Sequence, residues 1–326
     1  MEAASVARVA QGLADLAASH VRLPLSQQLR FRLTFGRTGQ QTTGMTKRTD
    51  NQIIGVCRFS YLGEGGFMTQ KDGFEKAAER LYAIARMRRR FAFFEQICLP
   101  SLAAQTDGDF RLVALIGDTM PFRWRKRLKG LMEEYSFLEV CTLEAAGPLN
   151  STRRAFRRGW DGQSTYITGF RIDDDDAVAV DYIERTRAIS DQLLTLGWAD
   201  EETPAAICFH RGVYWDMARP EEDQFWDFSE KEPLGLASAM ITTPDGQQNI
   251  YRWNHRRLAS QVRCWIDPND YMFVRTLHGQ NDSDRSIPPD ALALPAWQAK
   301  KLFRDRFGLS PRRLLPLMQG LQEDED

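Results

Sequence analysis

Short continuous apolar runs alternate with helical stripes from residue 52 onward. Ile53, Ile54, Gly55, Val56 and Cys57 form one such run, the pattern of a strand buried on both faces. Residues 61–67 follow as an exposed loop. Its Gly63, Gly65 and Gly66 lack the spacing and the following helix of a dinucleotide fingerprint. Leu81, Ile84, Phe91, Phe94 and Ile97 approximate a 3.6-residue period and predict a helix over 74–104, broken near Pro100. The pattern then predicts a strand at 110–117 after the Asp107-Gly108 turn, and a helix at 122–135 opened by Pro121. A strand at 138–143, a helix at 152–158 stopped by Gly159, and a strand at 165–172 complete this half.

Strand–helix alternation of this kind predicts a parallel sheet in an α/β fold. Beyond Asp176 the sequence predicts a helix to about 197, strands at 205–215 and 234–243, and a turn at 243–246. Short strands at 263–266 and 272–276 come next, then a helix at 296–307 stopped by Gly308. The acidic tail at 323–326 is solvated. Residues 1–49 are basic and acid-poor, lack the apolar centre of a secretory signal, and read as a leader with a short helix at 3–18 and a linker at 37–49. Met45 stands just before the first strand and is a candidate start, with residues 1–44 dispensable.

Composition narrows the classes. The chain of 326 residues has 43 basic and 44 acidic side chains, a net charge of −1, which gives no general pull toward nucleic acid. At 43% hydrophobic it fills a sizeable core. Cys57, Cys98, Cys141, Cys208 and Cys264 match no metal-ligand spacing and each lies in an apolar run, so they read as core filler in a reducing, cytoplasmic compartment. No apolar run is long enough to cross a membrane. Arg123, Arg125, Lys126, Arg127 and Lys129 crowd one helix, a solvated face that also suits peripheral contact with the inner membrane surface.

The candidate chemistry lies at Asp173-Asp174-Asp175-Asp176, directly after an apolar strand. Four adjacent carboxylates repel one another unless something positive sits among them. In open α/β sheets ligands bind outside the carboxyl ends of the strands. Side chains two apart on an extended chain point the same way, so Asp173 and Asp175 are placed to share one divalent cation. The alternative is a solvated acidic turn with Asp176 capping the next helix.

Residues 99–118 (LPSLAAQTDGDFRLVALIGD) and 150–159 (NSTRRAFRRG) resemble the first helix, second strand and pre-motif helix of nucleotide-sugar glycosyltransferases of the GT-A fold. Residues 171–177 (RIDDDDA) fall where those enzymes carry their DxD motif. Together with 58–61 (RFSY) and 89–91 (RRF), the wording is similar to the bacterial rhamnosyltransferase family over about 52–285. The resemblance implies a single large domain with an N-terminal extension, built on a Rossmann-like, mostly parallel sheet flanked by helices. It has a nucleotide-binding half at 50–176, an acceptor half at 177–285, and a C-terminal helix and tail at 286–326. It further implies an inverting hexosyl transfer, of rhamnose if the family name holds, from a nucleoside-diphosphate sugar to a glycan or lipid-linked acceptor.

In that family Mn²⁺ or Mg²⁺ bridges the DxD to the diphosphate. The resemblance assigns Asp173 and Asp175 to the metal, completed by His278. It assigns Arg58, Asp118, Arg154, Arg157, Arg171, Asp173 and Asp174 to the nucleotide sugar, with Asp118 accepting from the base and the arginines pairing with phosphate. Asn281 and Asp282 are placed to orient His278. Inversion needs a base. Glu221, Glu222, Asp223, Asp245, Asp267 and Asp282 qualify, with His255 as a further candidate facing the acceptor, and no one of them is singled out. Two other readings stand beside this one. A metal-dependent phosphoester hydrolase would use the same aspartates, although its nucleophile usually lies on the first strand. A non-catalytic carbohydrate- or partner-binding module would keep the fold without the chemistry.

Overall fold

In the computed structural model, residues 21–22, 50–64, 73–278 and 286–310 are described. The predicted leader helix, Gly65, Gly66, Asn281, Asp282 and the acidic tail lie outside them. Among the described residues, eleven strands form one mixed sheet, whose main path runs β1-β10-β7-β9-β5-β2-β3-β4. Its N-terminal half is parallel: β2 (Asn51–Arg58), β3 (Arg111–Gly117), β4 (Leu138–Leu143) and β5 (Tyr166–Arg171).

The alternation predicted from sequence is what builds the two cores. On β3, Leu112, Ala114 and Ile116 face one helical layer while Val113 and Leu115 face the other. On β7 (Ala205–Asp216), Ala205, Ile207 and Phe209 go to the first core and Ala206 and Cys208 to the second. All five cysteines are free and buried. The first layer includes α1 (Phe74–Leu81), α2 (Ile84–Phe93), α3 (Leu99–Ala103) and α4 (Phe122–Glu134), and the helices at Tyr182–Thr195 and Ala296–Phe307 pack into the same core. The second is covered by α5 (Pro148–Gly159). Gly55 on β2 lets the Phe170 ring approach so closely that a Cβ there would lie 2.3 Å from it.

The long helix predicted over 74–104 breaks at Tyr82 and Ala83, not at Pro100. A π-helical turn, Phe94–Cys98, precedes Pro100, which then sits in the first turn of α3 where its missing N–H is harmless. After the aspartates the chain first forms β6 (Ala177–Val178), antiparallel to β10, so α6 spans only Tyr182–Thr195.

The two short strands predicted near the end are one strand, β10 (Arg263–Leu277), parallel to β7. Its register shifts after Asp267, where the Asp267 carboxylate accepts from Asn269 N at 2.9 Å and Pro268 has no N–H to donate. Beside β7 lie β8 (Phe225–Ser229) and β9 (Ser238–Thr242), both antiparallel to it, and β9 joins the halves through β5. The turn at 243–246 closes with Gly246 N donating to Thr243 O. A short helix, α7 (Leu258–Gln261), precedes β10, and the outer strands β1 (Val21–Arg22) and β11 (Leu292–Ala293) pair with β10 and β8. The closing helix α8 (Ala296–Phe307) ends at Gly308, which has φ 64°.

Candidate functional site

The carboxyl ends of β2, β3 and β5 meet at one edge, and β5 delivers Asp173–Asp176 there. The four residues do not continue the strand. Asp176 N donates to Asp173 O at 3.3 Å, closing a turn, so the extended geometry expected for Asp173 and Asp175 does not hold. The side chains therefore separate. That of Asp173 is 44% exposed and faces Arg171 at 3.6 Å, whereas Asp174, Asp175 and Asp176 are buried.

Arg90 on α2 enters this buried side. Its Nε donates to Asp174 Oδ2 at 2.6 Å, its Nη2 to Asp174 Oδ1, and its Nη1 to Asp175 Oδ2 at 3.1 Å. Asp174 is thus held in a bidentate fork within the protein, which corrects its expected place against a nucleotide. Asp175 Oδ2 also meets His278 Nε2 at 2.8 Å. His278 lies just past β10, and its ring stacks on Phe93 of α2 with centroids 4.4 Å apart. Thr276 fastens the turn from β10, donating its hydroxyl to Asp175 O at 2.8 Å and its N–H to Asp176 Oδ1 at 3.2 Å.

Electrostatics divide the aspartates. Burial pushes Asp174 up to about 7, with Asp175 and Asp173 adding to it against Arg90. Burial, then Asp175 and Asp173, also raise Asp176 well above the usual carboxylate range. Burial opposes ionisation of Asp175 too, but Arg90 and the bond from His278 outweigh it and hold Asp175 down to about 2. Burial likewise disfavours the charge on Arg90, but Asp174, Asp175 and Asp173 more than offset it, so the guanidinium stays protonated.

On the exposed side, Arg58 and Arg171 both lie over the Tyr251 ring, at 5.2 and 4.9 Å from its centroid. Tyr251 donates its hydroxyl to Val56 O at 2.7 Å, which fixes the ring across the ends of β2 and β5. His255 is nearby. Burial and the charges of Arg171, Arg256 and Arg275 push it down to about 4, so it is neutral at pH 7.

Other expected residues lie elsewhere. Asp118 is exposed after β3, with its N–H donating to Leu143 O. Arg154 is 3.6 Å from Glu144, and Arg157 pairs with Asp245 in the 243–246 turn, so both engage surface carboxylates and neither engages the aspartate turn. Asp267 is bound by Arg185 at 2.6 Å near the start of β10, whereas the aspartate turn meets the end of that strand. This removes it as a base. Asp282 lies outside the described residues.

Among the described residues, no three His, Cys, Asp or Glu side chains are grouped to hold a metal ion. Asp175 and His278 do converge, and a carboxylate with an imidazole is a donor pair suited to Mn²⁺. Phe93, Thr276 and Tyr251 are not candidates on sequence grounds, and Arg90 figures there only within residues 89–91. Arg90 had left a signal, a charge inside the apolar stripe formed by Met87 and Phe94.

No curated protein matches the chain. Its structure is similar to that of S. aureus TarS 1–349 in complex with UDP-GlcNAc, at 13% identity and TM-score 0.36, over 72% of this chain. It spans 60% of that TarS chain. It is also similar to GalNAc-T7 with UDP, GalNAc and Mn²⁺, at 9% identity and TM-score 0.37, over 74% of this chain and 46% of that one. A protein described as a "putative nucleotide-diphospho-sugar transferase" from Desulfovibrio desulfuricans G20 aligns over 84% of this chain and 98% of its own, at 9% identity and TM-score 0.35. The family described as "Putative rhamnosyl transferase" matches residues 52–290, from the first central strand through the aspartate turn and β10, and the chain belongs to that family.

Proposed function

We propose that the protein transfers a sugar from a nucleoside-diphosphate donor to a glycan or lipid-linked acceptor, with Mn²⁺ or Mg²⁺ held by Asp175 and His278. The observation that carries this reading is the 2.8 Å meeting of those two side chains beside the Arg58–Tyr251–Arg171 platform. Mg²⁺-type sites commonly use one or two carboxylates and complete their shell with substrate phosphate and water. Two protein donors therefore fit such an ion. When bound, the cation supplies positive charge against the departing diphosphate.

The chain's own residues do the rest. Arg58 and Arg171 face the diphosphate from the tyrosine platform, and Asp173 accepts from a donor hydroxyl. Asp118, at the end of β3, accepts from the base. Arg90 and Phe93 keep Asp175 and His278 in register from α2. Transfer with inversion of a hexosyl group, rhamnose by the family's name, is the reaction these parts suit. No helix among the described residues is long and apolar enough to cross a membrane.

The test is release of nucleoside diphosphate from a panel of nucleotide sugars with and without Mn²⁺. Wild type is expected to turn over at least one donor only with metal. Asp175→Asn and His278→Ala are each expected to lower the rate at least about a hundredfold, the scale of losing an electrostatic stabiliser. Undiminished, metal-stimulated turnover in both variants would refute the assignment.

A further inference from the structure

A cavity of about 280 Å³ opens between β7, β8, β10 and the segment at 286–290. Phe228, Leu234 and Pro288 give it apolar walls, while Glu230, Arg256 and Arg275 supply polar edges. Ligand cavities run from about 300 to 1,000 Å³, so this one is sized for a single ring, not an oligomer. Apolar faces bounded by charged hydrogen-bonding groups match a pyranose, whose C–H faces are apolar and whose rim is hydroxylated.

Two connections join this cavity to the aspartate turn. Arg275 lines the cavity, and its charge reaches Asp176; the next residue, Thr276, is bonded to Asp175 and Asp176. His255 is acted on both by Arg256 and Arg275 of the cavity and by Arg171 and Asp173 of the strand end. Arg275 and Thr276, adjacent on β10, thus serve the cavity and the aspartate turn respectively.

We infer that this cavity is the acceptor-sugar site and that Glu230 is the base for the acceptor hydroxyl. The inference rests on the transferase reading above. Glu230 follows β8 directly, and its backbone is fixed on both sides: its N–H donates to His210 O at 2.7 Å, and its carbonyl accepts from His210 Nδ1 at 2.9 Å. Tyr214, which faces Arg275 across the β7–β10 ladder, donates its hydroxyl to Glu230 Oε1 and aims the carboxylate. Arg275 Nη1 in turn donates to the Tyr214 hydroxyl at 3.5 Å.

The reaction balances without a further reagent. The acceptor oxygen bonds to the anomeric carbon, and the carbon–oxygen bond to the diphosphate breaks with its electron pair leaving on the diphosphate. The acceptor proton passes to the Glu230 carboxylate. His255 is less suited to that task, because burial and three arginines oppose its taking up a proton.

The experiment compares full-length wild type, Glu230→Gln and Glu230→Asp with nucleotide sugars and Mn²⁺. Nucleoside-diphosphate release is measured with aryl glycosides as acceptors, and with water as the acceptor when no glycoside serves. Binding of UDP, dTDP and GDP with Mn²⁺ is measured separately by thermal shift. Glu230→Gln is expected to lose about 10²- to 10⁴-fold in kcat, the usual range for a general base, with donor KM and nucleotide binding within about twofold of wild type. Glu230→Asp is expected to recover part of the rate. Wild-type turnover with an equally active Glu230→Gln overturns the base assignment alone. Failure of wild type to bind any nucleoside diphosphate overturns the transferase reading, and this inference with it.

Discussion

Replacing Arg90 with methionine keeps the unbranched apolar stem and removes the guanidinium with every charge-assisted bond it makes. The Arg90 side chain is 12% exposed and that of Asp174 is not exposed at all, so water cannot replace the guanidinium. Three N–H groups are lost, two from Asp174 and one from Asp175. Hydrogen bonds to charged groups contribute about 1.5–3 kcal/mol each. Their simple sum would overstate the loss, because Asp174, already pushed up by burial, escapes part of the penalty by taking a proton. Breaking one side of a buried ion pair costs about 3–5 kcal/mol, which is the expected loss. For a domain of this size that lowers Tm by ~6–20 °C. Urea unfolding at pH 7.5, followed by tryptophan fluorescence, measures it. Arg90→Met with Asp174→Asn is expected to cost about 0.5–3 kcal/mol less than the two single losses added. A loss below about 1 kcal/mol in Arg90→Met, or strict additivity in the double variant, would refute the clamp.

Two further outcomes follow from the geometry. Gly55→Ala would place a methyl group 2.3 Å from the Phe170 ring between β2 and β5, and overpacking of this kind costs about 1–3 kcal/mol; an unchanged urea midpoint would contradict the close approach. His255 is held near pKa 4 in the folded chain, whereas the unfolded chain protonates it near its ordinary value of 6.5. The unfolded state then binds the extra proton first, so stability is lost as pH falls from about 6.5 toward 4. His255→Gln is expected to flatten that part of the pH profile, and unfolding midpoints at pH 7, 5.5 and 4.5 that keep the wild-type slope would count against its buried, cation-flanked position.

The parallel half of the sheet was legible because its strands obey a local rule. Alternation on β3 sends Leu112 and Val113 to opposite cores, and the same pattern reads directly off the chain. The closing helix was legible to the residue because Gly308 supplies a left-handed stop. What escaped was set by contacts distant in sequence. β6 is two residues long and exists only because β10 pairs with it. The helix break at Tyr82 and Ala83 carries no proline or glycine to announce it. Asp175 was singled out by its spacing from Asp173 and His278 by resemblance, yet their partners Arg90 and Phe93 come from a helix about eighty residues earlier in the chain than the aspartates. Tyr251 was invisible as a platform because its role depends on the ends of two strands that approach it only in the folded state.

The aspartate run shows why residue order and residue role diverge at this site. An extended chain would make Asp173 and Asp175 equivalent, both on one face. The turn closed by Asp176 N and Asp173 O abolishes that equivalence. Asp173 stays at the surface beside Arg171 and the tyrosine platform, where a polar ligand can reach it. Asp175 goes inward, where Arg90 and His278 keep it ionised in spite of burial. A buried carboxylate held charged is costly unless its partners are already in place. Here they come from α2 and from the end of β10, elements on opposite sides of the turn in sequence. Arg90 neutralises the interior of the cluster and leaves the open edge to Asp173, so the near-zero net charge of the chain hides a strand end whose charges are sorted by depth. Moving Arg90 to lysine would keep the charge but lose the fork that spans two carboxylates, and the sorting depends on the fork.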